Sequence, residues 1–196
     1  MEALIDEYIV RTEHESKKEK DLGNGQKIII PGDWNPYEED NYSHEGVVLS
    51  VPKGASDGKL HPIEVGDTVY FLYTIVDNKL EGDKYRCDKN EIFAYKRDGK
   101  LYMVDGWNFI QPIEESEDQT MVNGIYIKST PDKVERMGRV YACDEWMQEQ
   151  EVRVGDIVMF RPDREYPMYV EGELVYRIRT IDIYGVVYEE EEAGIQ

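Results

Sequence analysis

The sequence predicts an all-β chain folded as two tandem small domains with long loops, and three observations carry that expectation. One block of residues recurs in the two halves with its neighbours in the same order. Short runs that alternate apolar and polar residues are separated by Gly, Pro and Asp clusters, as in strands joined by turns. Neither half shows a sustained 3.6-residue apolar period, so helices are not expected to build the core. A chain of 196 residues could be one large domain or two small ones, and the repeat decides for two. Halves of about 100 residues bury only a small core, so help from a partner subunit is expected.

The anchor of the repeat is residues 63–71, where Val65, Gly66 and Asp67 precede the run Thr68, Val69, Tyr70 and Phe71. It recurs at 152–160, with Val154, Gly155 and Asp156 ahead of Ile157, Val158, Met159 and Phe160. The glycine takes a turn conformation without steric cost, and the aspartate can accept from nearby backbone amides. Upstream, 45–51 with Gly46 matches 137–142 with Gly138. Further upstream, 25–31, containing Ile28, Ile29 and Ile30, matches 123–128, containing Ile125, Tyr126 and Ile127. Downstream, 90–95 matches 180–186, and opening strands are expected at 5–10 and 104–110. Five short strands per half is the pattern of a small β-barrel or sandwich. The Asp98-Gly99 turn signal within 97–100 predicts the joint, giving domains 1–97 and 98–196.

Composition excludes several functions. A formal charge of −19, from 42 Asp and Glu against 23 Lys and Arg, repels phosphate backbones and leaves no basic stripe, so nucleic acid is not an expected partner. Cys87 and Cys143 fall in different halves, so a stapled secreted scaffold is not expected and a reducing compartment fits. Residues 1–20 are charged throughout, without the apolar run of a signal peptide or membrane span, which predicts a soluble cytoplasmic protein that does not bind membranes. The four glutamates 189–192 are read as a solvated tail. No nucleophile elbow, phosphate-binding glycine loop or zinc-protease motif is present, and His14, His44 and His61 lack metal-ligand spacing and are read as solvated loop residues. The expectation is a protein that is not an enzyme and uses no cofactor or metal.

The order of elements resembles the GroES-type co-chaperonin family over nearly the whole chain. The features that carry the resemblance are the opening strand at 3–11, a polar loop holding Gly25, Ile28 and Pro31, and the strand at 46–48. A roof-like stretch at 53–62, the block 65–71 and a closing strand complete the series, and the second half repeats the order. The resemblance implies two tandem GroES-like β-barrels, the first with a long mobile loop over about 12–43, the second with a shorter loop and the acidic tail. The second half lacks the roof-like stretch, with 143–150 in its place. The tandem form is similar to double-domain co-chaperonins.

The resemblance further implies that an apolar tripeptide on each loop docks into a groove of a chaperonin, the partner that binds ATP. The corresponding residues are Ile28, Ile29 and Ile30, and Ile125, Tyr126 and Ile127. β-Branched residues suit an extended segment that adds to a partner's sheet edge. Burying two or three isoleucines contributes roughly 1.5–3 kcal/mol each, while ordering a loop costs about 2–5 kcal/mol, so one loop binds weakly. Several loops on one ring bind tightly through effective concentration, which makes a homo-oligomer the expected form. The rival reading is a non-catalytic ring or plug subunit of a larger assembly such as a virus particle, using the same barrel for stable contacts rich in the chain's 15 tyrosines.

Overall fold

A computed structural model of the chain describes residues 2–12, 19–21, 27–29, 44–114, 119–122, 125–128 and 133–187. The chain divides into two compact units, Met1–Val104 and Asp105–Gln196. Both are built almost wholly from antiparallel strands, which places the protein in the all-β class.

Unit one contains β1 (Glu7–Arg11), β2 (Glu19–Asp21), β3 (Lys27–Ile29), β4 (Glu45–Ser50), β5 (Thr68–Phe71), β6 (Lys84–Asp88), β7 (Ile92–Arg97) and β8 (Lys100–Met103). Six of these form one sheet in the order β6-β1-β4-β5-β7-β8, and β2 and β3 form a separate pair. Unit two contains β9 (Trp107–Glu114), β10 (Gln119–Val122), β11 (Ile125–Lys128), β12 (Lys133–Ala142), helix α1 (Glu145–Glu149), β13 (Ile157–Phe160), β14 (Tyr166–Val170), β15 (Glu173–Arg179) and β16 (Ile183–Val187). Its six-stranded sheet runs β14-β15-β9-β12-β13-β16, with β10 and β11 as the separate pair. The five-strand series β6-β1-β4-β5-β7 thus recurs as β15-β9-β12-β13-β16, and the units differ in which edge carries the sixth strand.

The repeated anchor forms the same turn twice. Gly66 and Gly155 have φ of 97° and 99°, a region open to glycine and strained for other residues. The Gly66 amide donates to Val48 O at 2.9 Å and the Gly155 amide to Val140 O at 2.8 Å. The aspartates close the turn from the other side: Asp67 Oδ2 accepts from the Glu64 amide and Asp156 Oδ2 from the Arg153 amide, each at 2.8 Å. The turn therefore both reverses the chain and fixes the following strand against β4 or β12.

A second matched glycine has a packing reason. A Cβ on Gly46 would lie 2.8 Å from Arg11 O, and one on Gly138 would lie 2.8 Å from Gln111 O and collide with the Ile110 side chain. The second strand of each repeat crosses the first too closely for a side chain. Behind these strands, unit one buries Tyr8, Val10, Val48, Val69, Phe71, Ile75 and Ile92. Unit two packs Ile110, Val140, Met147, Val158, Phe160 and Ile178 into one cluster, with Tyr176 edge-on to Phe160 at 6.4 Å between ring centroids.

Three local features differ from the sequence expectation. The Asp98-Gly99 turn is a hairpin turn rather than the joint: both residues have positive φ, 52° and 78°, and they connect β7 to β8 within unit one. The stretch 53–62 forms no paired roof. It lies back along the amino-terminal segment, where Lys53 N donates to Leu4 O, Asp6 N to Gly54 O and Ser56 N to Asp6 Oδ1, at 3.0, 3.1 and 2.9 Å. In unit two its place is taken by α1, capped by Asp144. Six strands, β2, β6, β8, β10, β14 and β15, were not expected, although β6 alternates cleanly with Tyr85 and Cys87 inward.

Candidate functional site

The two apolar tripeptides occupy equivalent places in the fold. Ile28 and Ile29 lie on β3, which pairs with β2 in the register Lys20↔Ile28 and Glu19↔Ile29; Ile30 lies outside the described residues. Ile125, Tyr126 and Ile127 all lie on β11, opposite Val122, Met121 and Thr120 of β10. Ile28 and Ile29, and all three of Ile125, Tyr126 and Ile127, are thus on the second strand of a two-stranded pair that falls in sequence between the first two strands of its six-stranded sheet, β1 and β4 or β9 and β12. Among the described residues β3 pairs with β2 and β11 with β10.

The base of the first strand pair is anchored by polar contacts that the sequence did not announce. Thr12, where β1 ends, is buried and donates through Oγ1 to Glu45 O at 2.8 Å, while its amide donates to Asp83 O at 3.1 Å. His44, just ahead of β4, is buried against Phe71 O rather than solvated, with Nδ1 at 3.4 Å from that oxygen. His61 is likewise tied down, its Nε2 3.0 Å from Lys89 O. His14 lies outside the described residues.

Around the laid-back stretch, Lys89 is buried and its ammonium contacts Asp57 Oδ1, Asp6 Oδ1 at 3.5 Å and Lys59 O at 3.1 Å. The hydrogen bond from Lys89 holds the Asp57 carboxyl below its ordinary range, and the Ser56 contacts do the same for Asp6. On the far side of the sheet Arg97 forms a fork with Asp67, at 2.9 and 2.7 Å, and this lowers the Asp67 pKa. Burial pushes the Tyr8 hydroxyl up to about 12 and raises the Cys87 thiol well above its usual value, so neither is poised as a nucleophile. Cys143 is raised by burial as well.

In unit two a buried polar network joins the start of β9 to α1. Asp144 accepts at Oδ1 from the Met147 amide, and at Oδ2 from the Gly106 amide and Thr180 Oγ1, at 2.9, 2.9 and 2.6 Å. Asn108, fully buried, donates to Thr180 Oγ1 at 2.9 Å and accepts from the Asp144 amide at 3.0 Å. Every member is partnered, and a network satisfied in this way holds the start of β9 rigidly against α1. Among the described residues no three His, Cys, Asp or Glu side chains are grouped as metal ligands, and no helix is long and apolar enough to cross a membrane. No family model and no curated protein matches the chain.

Proposed function

We propose that this chain is a co-chaperonin-like lid protein: two tandem GroES-like barrels that cap a chaperonin in its ATP cycle, with no catalysis of their own. The observation that supports this reading most directly is that Ile28 and Ile29 in unit one, and Ile125, Tyr126 and Ile127 in unit two, lie on the second strand of a strand pair at the same point in the order of elements. A segment already extended as a strand lowers the ordering cost of docking by strand addition, while apolar side chains supply the affinity. Ile28, Ile29 and Ile30, with Ile125, Tyr126 and Ile127, are the proposed contacts. The six-stranded sheets are the rigid bodies that carry them, and a cytoplasmic homo-oligomer would present several copies at once.

The test is to mix the protein with a chaperonin and ATP and to measure complex formation by analytical ultracentrifugation, for wild type and for Ile28→Ser combined with Ile29→Ser. A nucleotide-dependent complex that the double substitution weakens at least tenfold supports the lid. Absence of any such complex, with the chain instead forming a stable ring or filament by itself, favours the structural-assembly reading.

A further inference from the structure

A cluster of arginines lines one site in unit two, on a chain whose formal charge is −19. A cavity of about 350 Å³ is walled by Trp107 and Tyr166 and lined by Arg161, Arg164, Arg177 and Arg179, with Asp182 as the lone lining carboxylate. The fold brings these residues together from three separate stretches. Arg177 and Arg179 alternate on β15, where register sets Arg177 opposite Tyr166 of β14 and Arg179 opposite Trp107 of β9. Arg161 and Arg164 come from the turn after β13, and Asp182 from the turn before β16. In chain order the cations are up to 18 positions apart, from 161 to 179, and only sheet pairing makes them one cluster.

Their orientation is set in advance. The Arg177 guanidinium lies 5.3 Å over the Tyr166 ring and that of Arg179 5.9 Å over the Trp107 ring. Stacking of this kind holds a guanidinium plane on its aromatic support. Arg177 is itself only 6 % exposed, so a cation is held where solvent hardly reaches it. Asp182 sits between Arg161 and Arg164, at 3.4 and 4.0 Å, and is buried. Among the residues lining the cavity, one carboxylate stands beside four guanidinium groups. Arg164 is held on both sides, its Nε facing Asp182 Oδ1 at 4.0 Å and its Nη1 donating to Tyr166 Oη at 3.4 Å.

We propose that this cavity binds a phosphorylated small molecule through its phosphoryl oxygens. Planar guanidinium forks match phosphate oxygens bidentately, and converging forks favour a group carrying more than one negative charge. The volume is that of a small-molecule pocket, large enough for more than a single phosphate. Arg164 and Arg161 supply the mobile contacts, while Arg177 and Arg179 form the preset wall.

Isothermal calorimetry of the full chain with inorganic pyrophosphate tests this, with citrate as a multiply charged anion that lacks phosphorus. Saturable binding at one site per chain is expected, weakened about tenfold or more by Arg161→Met and by Arg164→Met, since a charge-assisted hydrogen bond contributes at least that much. Both side chains are about half exposed, at 52 % and 43 %, so each variant retains the fold, checked by its thermal melt. Arg86→Met in unit one removes the same charge far from the cavity in sequence and sheet, and is expected to leave binding unchanged. The proposal is overturned if pyrophosphate gives no saturable heat, if citrate binds as tightly, or if Arg86→Met weakens binding as much as the cavity variants.

Discussion

Asp144→Ala should destabilise unit two by about 3 kcal/mol. Three contacts are lost together. The cap to the Met147 amide at the start of α1 contributes about 1 kcal/mol. The Gly106 amide and the Thr180 hydroxyl each lose an acceptor at 2.9 and 2.6 Å, for a further ~1 kcal/mol apiece. Asp144 is only 3 % exposed, so water does not readily replace the carboxylate and these figures are not discounted for screening. Asn108 keeps its bond from the residue 144 amide, because that donor belongs to the backbone. The assay is urea unfolding followed by far-ultraviolet circular dichroism and by tryptophan fluorescence, since Trp107 and Trp146 both lie in unit two. Asp144→Asn preserves the cap but turns an amide towards two donors, and should fall between wild type and alanine. A loss below about 1 kcal/mol for alanine, with an unchanged denaturant slope, would refute the view that this network locks β9 to α1.

Two further outcomes follow from the repeat itself. Gly46→Ala and Gly138→Ala should each cost roughly 1–3 kcal/mol in thermal or urea unfolding, because the added methyl meets a backbone carbonyl of the adjacent strand that cannot move aside. The effect should be greater at Gly138, where the Ile110 side chain is also in the way. Arg97→Met should flatten the acid limb of the stability profile. The Asp67 carboxyl is held below its unfolded value, so its contribution is complete above about pH 4 and is lost as pH falls through the lower folded value. Asp6 and Asp57 are lowered too and keep part of that limb in the variant, so a profile unaltered by Arg97→Met would sink the assignment to Asp67.

Much of the fold was legible because its signals are local. The Val-Gly-Asp turn needs a positive-φ residue and a short acceptor at fixed spacing, and both appear twice in the sequence with the strands they start. Strands β1, β4, β5 and β7, and their counterparts β9, β12, β13 and β16, overlap the expected runs. The boundary between units was less legible, because an Asp-Gly pair signals a tight turn equally well inside a domain or at its end. Only the pairing of β8 with β7 places that turn in unit one. The reading of 53–62 as a roof failed for a related reason: a polar, turn-rich stretch does not specify whether it projects or folds back. Backbone bonds to Leu4 and Gly54 and the Asp6 carboxylate decide it.

The sequence by itself determined the all-β class, the duplication and the two apolar tripeptides, since periodicity, turn chemistry and repetition are properties of neighbours along the chain. Tertiary structure alone decided that Ile28 and Ile29, and Ile125, Tyr126 and Ile127, lie along a paired strand, that His44 and Lys89 are buried, and that four arginines share one cavity. The physical reason is sheet register. Which side chains meet across antiparallel strands depends on pairing between distant segments, and a shift of one residue would send Arg177 and Arg179 to the opposite face.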